Sequence, residues 1–316
     1  MTASSYVGID VAKAELVVGT SNRSIGRFAN DRDGHRQLVL RLREMDVAAV
    51  VLESTGRYGQ DVALALMAAG FAVAVVPPGR VRHYAKSLGI HAKTDPIDAQ
   101  VIARFGEAAR PRPLQPAREA VVRLRAVVDR RDQVIEMRKR EQNHLEACAD
   151  PSIAKELRRS ITRLEALEAR YTKQIAQHLA ADEELARRSH ALQAEAGVGL
   201  QTAATLLAHF PELGHLNRQR AAALAGLAPF NRDSGTRDGR RSIYGGRARL
   251  RRALYMAAIS ASRWNPWVVD LYRRLRQRGK CAKVALIACA RKLLVRLNAI
   301  VAAAIHAAPG EAPPRA

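Results

Sequence analysis

Four acidic side chains stand at positions where they could do chemistry. Asp10 closes the run Tyr6-Val7-Gly8-Ile9-Asp10, and Glu53 closes Val50-Val51-Leu52-Glu53. Each of these short β-branched runs reads as a buried strand that delivers its last side chain to a rim. Asp95 and Asp98, in Lys93-Thr94-Asp95-Pro96-Ile97-Asp98, are three apart and share one face of a helix that starts there. Four carboxylates meeting at one point repel one another unless divalent cations lie between them. Oxygen-only ligands suit hard cations, so Mg²⁺ or Mn²⁺ is the expected cofactor. Two such ions about 4 Å apart bridge a phosphate, one activating the attacking oxygen and one stabilising the leaving oxygen. Each residue also has a structural alternative. Asp10 could cap a turn, Glu53 before Ser54-Thr55-Gly56 could cap a helix, and Asp95-Pro96 fits an N-cap followed by proline at the first helical position.

The background to these acids is strongly basic. The 316 residues carry a formal charge of +22, which calls for a polyanionic partner. Charge alone would fit a basic scaffold protein; it would not account for the acids. Hydrophobic content of 48% with only 4% aromatics points to an Ala/Val/Leu-rich, largely helical chain, long enough for two domains. No apolar run is long enough to cross a bilayer, and the N-terminus lacks a signal-peptide pattern. Cys148, Cys281 and Cys289 form neither a zinc spacing nor a disulfide framework. A reducing cytoplasmic location, in contact with the nucleoid, follows as the expectation.

The elements that must position the acids alternate between strand and helix. Strands are expected over Tyr6–Val11, Glu15–Thr20, Ser24–Asn30, Ala48–Glu53 and Phe71–Val76. Helices are expected over Asp31–Met45, Gly59–Ala69 and about Asp95–Ala108, with a glycine-containing loop after Pro77-Pro78. Three antiparallel strands, then helix, strand, helix, strand and helix is an α/β RNase H-like order for residues 1–110. Arg110–Pro116 holds three prolines in seven residues and reads as a linker. Over 111–195, linker and helical hairpin, Leu157, Ile161, Leu164, Glu168, Tyr171 and Ile175 recur at spacings of four and three. Asp150-Pro151 breaks this heptad-like pattern, so two antiparallel helices of a coiled coil are expected, packed within one chain or between chains.

A third region spans 196–308, followed by a tail over 309–316 expected to be disordered. Gly197-Val198-Gly199 precedes an Ala-rich helix, like the second half of a helix-hairpin-helix, where Gly197 and Gly199 could present backbone amides to a phosphate or simply make a turn. Between Asn231 and Arg252 stand eight arginines and two acids, expected to form a loop that orders on binding. Arg232, Arg237, Arg240, Arg241, Arg247, Arg249, Arg251 and Arg252 are the candidate nucleic-acid contacts. Ser234, between Arg232 and Arg237 and followed by Gly235, is either a phosphate-contacting hydroxyl or a nucleophile. No acid occurs between Asp270 and Glu311, so the helices there should also face nucleic acid.

Several ordered motifs together resemble one family. Gly8-Ile9-Asp10-Val11, Glu53-Ser54-Thr55-Gly56 and Lys93-Thr94-Asp95 through Asp98-Ala99 are followed by Gly226-Leu227-Ala228-Pro229. Then come Ser234-Gly235 and the basic stretch ending in Leu250-Arg251-Arg252-Ala253-Leu254-Tyr255. Over residues 5 to 300 the chain resembles the DEDD transposases of bacterial insertion sequences, with a RuvC-like N-terminal domain and a second transposase domain, also described as bridge-RNA-guided recombinases. The resemblance implies that Asp10, Glu53, Asp95 and Asp98 bind the metal and that Ser234 is the nucleophile of strand exchange, linked covalently to a DNA 5′ phosphate. It further implies a homo-oligomer, dimer or tetramer, in which one protomer's serine meets another's acidic site, and a structured RNA that pairs with donor and target DNA. The alternatives from the residues themselves are a RuvC-like endonuclease for branched DNA, using the four acids alone, and a non-enzymatic nucleic-acid-binding protein.

Overall fold

The structure is a computed structural model. It describes residues 5–53, 58–90, 95–115, 118–230 and 242–306, with the side chains of Asp95 and Pro96 excepted. The chain divides into two compact units, Met1–Pro116 and Ala117–Ala316.

In the first unit the described elements are β1 (Ser5–Val11), β2 (Glu15–Thr20), β3 (Ser24–Ala29), α1 (Arg32–Arg43), β4 (Val47–Glu53) and α2 (Gln60–Ala68). After them come β5 (Val73–Val76), α3 (Pro78–Ser87) and α4 (Asp95–Ala109). The strands form one mixed sheet in the order β3-β2-β1-β4-β5. β1, β2 and β3 pair antiparallel, while β1–β4 and β4–β5 are parallel. This mixed α/β sheet is consistent with the RNase H-like order expected. Asp31 caps α1, its side chain accepting from the Gly34 amide at 2.8 Å.

Helix α3 replaces the loop expected after Pro77-Pro78. Pro77 stays extended and Pro78 occupies the first helical turn, where a missing amide costs nothing, so the dipeptide starts a helix. Alternation along the buried strands builds a core on each sheet face. Val7, Ile9, Val50 and Leu52 pack with Leu38, Leu42, Val62 and Leu66 of α1 and α2. Val51, Ala74 and Val76 pack with Val81, Val101, Ile102 and Phe105 of α3 and α4.

The second unit is mostly helical: α5 (Glu119–Ala147), α6 (Pro151–Ala181), α7 (Glu183–Gln193), α8 (Leu200–His209), α9 (Arg218–Leu224), α10 (Ala248–Trp264), α11 (Pro266–Gln277) and α12 (Ala282–His306). A two-residue ladder joins β6 (Pro229–Phe230) to β7 (Ser242–Ile243). α5 and α6 pack on each other within the chain, the break falling at Asp150-Pro151 as expected, with Asp150 capping α6. Their open-loop ends share a core with everything after them: Leu124, Val128, Ile175 and Leu179 lie in one cluster with Leu206, Leu254, Leu293 and Leu297. Helix α10 begins at Ala248, so Arg249 belongs to a helix and not to the expected loop. All three cysteines are free thiols, with Cys289 buried and Cys281 exposed.

Candidate active site

The acids of the first unit are placed by the packing of α4 on the sheet. Gly8 of β1 lies so close to α4 that a β-carbon there would stand 2.1 Å from the Ala99 carbonyl oxygen and 2.5 Å from the Ala103 amide nitrogen. Farther along the helix, a β-carbon on Gly106 would meet Tyr6 and Val51, each at 2.8 Å. As the helix advances from Ala99 to Gly106 it therefore passes from Gly8 back to Tyr6, antiparallel to β1 and β4. The N-terminus of α4 points toward the C-terminal ends of those strands.

Strand periodicity then fixes the sides. Asp10 is two residues beyond Gly8 and Glu53 two beyond Val51, so both face the α4 layer. The register pairs Ile9 with Leu52, which leaves Asp10 and Glu53 at the same level on adjacent parallel strands, about 4.8 Å apart in backbone spacing. Asp98 precedes Ala99 in the first turns of α4, and the backbone of Asp95 begins the helix. Asp10, Glu53 and Asp98 are each half-buried. Three of the four expected acids thus come to one end of one sheet face; the Asp95 side chain lies outside the described residues.

The donor set is oxygen-only, as a hard divalent cation requires. Among the described residues, however, no group of three or more His, Cys, Asp or Glu side chains stands close enough to hold a metal ion. The fit of the described acids is one of donor chemistry and shared rim.

Two residues that the sequence did not single out hold this rim together. The side-chain amide of Asn30 donates to the Ala12 carbonyl at 2.8 Å and to the Tyr58 carbonyl at 3.0 Å. Ala12 follows Asp10 by two residues and Tyr58 follows Glu53 by five, so one amide ties together the segments leaving both acid-bearing strands. His35 Nε2 lies 2.8 Å from the Asn30 side-chain oxygen. Because that oxygen can only accept, Nε2 carries the proton. Burial pulls the His35 imidazole below its ordinary value, against the opposing pull of Asp61 and Asp31. The available signal was a strand ending in a polar residue just before an N-cap.

In the second unit the candidate contacts divide. Ser234, Arg232, Arg237, Arg240 and Arg241 lie outside the described residues; the ladder of β6 and β7 pairs Phe230 with Ser242, so the two ends of that segment are held side by side. Arg247 makes a two-pronged bond to Glu212, at 2.6 and 2.7 Å, and donates to the His209 carbonyl at 3.1 Å. Burial raises the Glu212 carboxyl, but the Arg247 hydrogen bonds and charge outweigh it and hold it below the usual range. Arg249 pairs with Asp129 and, at 3.3 Å, with Asp132. Arg251 donates to the Gly245 carbonyl at 2.8 Å, and the exposed Arg252 lies 3.8 Å from Glu136. Gly197 has a left-handed φ of +95° and packs on Ala261, where a β-carbon would be 2.6 Å from three atoms, so its need for glycine is structural. Gly199, the N-cap of α8, has open space at its β-carbon position.

The first unit thus carries acids from two adjacent parallel strands and a packed helix at one end of its mixed sheet, and a mostly helical second unit follows in the chain. Residues 7–152 match the IS110-type DEDD domain, described as a transposase, and residues 189–273 match the transposase IS116/IS110/IS902 family. The chain is 30% identical over 320 residues to the pilin gene-inverting protein of Moraxella bovis, covering 94% of this chain and 95% of that one. The same identity and coverage hold for the pilin gene-inverting protein of Moraxella lacunata. It is also 37% identical over 112 residues to an uncharacterized 43.6 kDa protein of insertion element IS110 in Streptomyces coelicolor, covering 33% of this chain and 26% of that one. The chain belongs to the IS110 family of transposases and is a DNA transposase/recombinase.

Proposed function

We propose that this transposase cuts and rejoins the ends of a mobile DNA segment through two centres, an acidic site on a RuvC-like domain and the Ser234 hydroxyl. The observation that carries the first centre is the arrival of Asp10, Glu53 and Asp98 at one end of one sheet face, imposed by the antiparallel packing of α4 over Gly8. With Asp95 they would hold Mg²⁺ or Mn²⁺, which when bound supplies positive charge to the reacting phosphate. Unneutralised, the carboxylates would repel a phosphodiester; Asn30 and His35 keep the segments behind them in place.

Ser234 attacks phosphorus and displaces the DNA 3′ oxygen, giving a 5′-phosphoserine link and a free 3′ hydroxyl. The resemblance of Gly226-Leu227-Ala228-Pro229 and Ser234-Gly235 to the family pattern supports that role, together with Gly235 beside the hydroxyl, which lets a backbone phosphate approach. Relatives named for inverting a pilin gene support a substrate in which two ends of one DNA segment are exchanged. A structured RNA pairs with donor and target, leaving the protein to read backbone and shape. The enzyme acts as a dimer or tetramer, with serine and acids from different protomers.

For phosphate contact the candidates are Arg232, Arg237, Arg240, Arg241, Arg251 and Arg252, together with the exposed Arg273, Arg274, Arg276, Arg278, Lys280 and Lys283 of the α11–α12 end. Arg247 and Arg249 serve the fold first, through Glu212 and through Asp129 and Asp132. The test is strand cleavage of element-end DNA with Mg²⁺ by Asp10→Asn and Asp98→Asn. Cleavage should fall at least 100-fold, with nucleic-acid affinity unchanged or raised because a negative charge is gone. Full strand transfer by either variant overturns the acidic centre.

A further inference from the structure

The α5–α6 hairpin sorts its charges by face. Between the helices, Glu168 accepts from Arg131 at 3.0 Å and from Arg138 at 3.1 Å, and Arg131 also donates to Thr172 at 2.9 Å. On α6 itself a second set of cations points elsewhere. At 100° per residue, Lys155, Arg159, Arg163, Arg170 and Lys173 fall within one sector about 80° wide. All five are exposed, as is the small Ala166 between them; the exposed Thr162 and Ala169 border the sector on one side. Of the acids on α6, Glu165 and Glu168 lie on other sides of the helix and Glu156 at the margin of the sector. Among the described residues no ion pair uses any of the five cations, whereas the two arginines that face Glu168 are paired.

Resting on the reading of the chain as a DNA-exchanging enzyme, we propose that this outer face of α6 docks along the phosphate backbone of duplex DNA flanking the exchanged ends. From Lys155 to Lys173 the row covers 18 helical steps, about 27 Å of helix axis. That length matches roughly eight base pairs, at one phosphate per 3.4 Å of axis on each strand. The small side chains let the backbone approach the helix surface, and the cations hold it without reading sequence. The same row of a second copy does not fit, because like-charged rows placed face to face repel. Nor does a lipid surface, since the face carries no flanking apolar stripe.

Binding is measured with the full chain carrying Asp10→Asn, so that the result does not depend on cleavage. Random-sequence duplex DNA of about 30 base pairs is titrated over a range of salt concentrations. Each phosphate contact adds roughly 0.9 to the slope of log affinity against log salt. The triple variant Arg159→Gln, Arg163→Gln, Arg170→Gln should lower that slope by two to three and weaken binding at least tenfold at physiological salt. Arg131→Gln removes an equally charged but paired side chain and should change the slope by less than one. As a check that needs no variant, acetylation of Lys155 and Lys173 should be suppressed by bound DNA while Lys139 on α5 stays reactive. An unchanged slope with unprotected lysines overturns the proposal, and so does a slope change seen with duplex RNA alone. An enzyme that never cuts DNA but shows the slope change would leave this surface standing and remove the acidic centre instead.

Discussion

Asn30 and His35 are joined side chain to side chain at 2.8 Å, and through that bond the imidazole aims an amide that spans the segments following Asp10 and Glu53. Neither residue need touch a substrate to matter. Asn30→Ala breaks both carbonyl contacts, each contributing about 1 kcal/mol to stability. It should lower the rate of strand cleavage about tenfold or more while leaving DNA affinity unchanged. Asn30→Asp, which keeps the acceptor for His35 but loses the donor, should resemble Asn30→Ala. A drop in affinity with an unchanged cleavage rate would contradict the positioning role.

The same pair predicts a pH effect. The His35 value is lowered in the folded chain by burial, although Asp61 and Asp31 oppose this. The unfolded chain therefore takes up a proton first as pH falls. The stability contributed by neutral His35 is complete above the ordinary imidazole value of about 6.5 and is lost as pH drops through the lowered folded value. His35→Gln, which can still donate to Asn30, should flatten the dependence of Tm on pH in that window, measured by thermal melts from pH 7.5 down to 5.

Gly8 is the contact on which the placement of α4 depends. Alanine there would drive a methyl into the Ala99 carbonyl and the Ala103 amide, both backbone atoms that cannot swing away. Gly8→Ala should cost about 3 kcal/mol, at the upper end of overpacking effects, and should reduce cleavage beyond what the loss of stability explains. A crystal structure or a melt showing Gly8→Ala unchanged would mean that α4 is not held where the acids require it.

Much of the first unit was legible because two of its strands end in the acids that share one rim. Val7-Gly8-Ile9-Asp10 and Val51-Leu52-Glu53 alternate with period two, and that period alone puts Asp10 with Gly8 and Glu53 with Val51. What the residues could not disclose was which helix covers that face, since a glycine inside a strand announces a close approach without naming its partner. Asn30 escaped notice because an asparagine at a strand end is ordinary, and its two carbonyl partners are 18 and 28 residues away. Arg247 and Arg249 looked like free cations because their acids, Glu212, Asp129 and Asp132, lie 35 to 120 positions earlier. Charge pattern is local, and these pairs are not. The Pro77-Pro78 stop concealed α3 for a different reason, as proline both ends strands and opens helices.

Glu195 predicts acid sensitivity in the second unit. Its carboxylate accepts from Arg296 at 2.5 Å, Asn265 at 2.6 Å and Trp267 at 2.8 Å, binding the turn before α8 to α11 and α12. Burial alone would raise its value; the bonds from Arg296, Trp267 and Asn265 and the Arg296 charge outweigh that and hold it below the usual range. For a lowered carboxylate the stabilising contribution is present above the unfolded value, about 4.3, and disappears as pH falls through the folded one. Glu195→Gln should lose about 2 to 3 kcal/mol at pH 7, in keeping with hydrogen bonds to a charged group, and should show a shallower fall of Tm below pH 4.5 than the parent chain. Equal acid slopes for the two proteins would assign the sensitivity to other carboxylates.

The last prediction separates a phosphate-contacting hydroxyl from a nucleophile at Ser234. A hydroxyl that only contacts phosphate contributes on the order of 1 kcal/mol, so its removal should reduce activity modestly, by less than about tenfold. A nucleophile forms the bond that defines the intermediate, and its removal ends the reaction. Ser234→Ala should therefore bind DNA and RNA as the parent does and yield no joined product. The parent, incubated with element-end DNA and Mg²⁺, should form a protein–DNA adduct that survives denaturing electrophoresis and maps to the peptide containing Ser234. Asp10→Asn should form no adduct although its serine is intact, because charge on the reacting phosphate would then go unneutralised. Adduct formation by Asp10→Asn would uncouple the two centres. Substantial recombination by Ser234→Ala, or an adduct at another residue, would return Ser234 to the role of a phosphate contact.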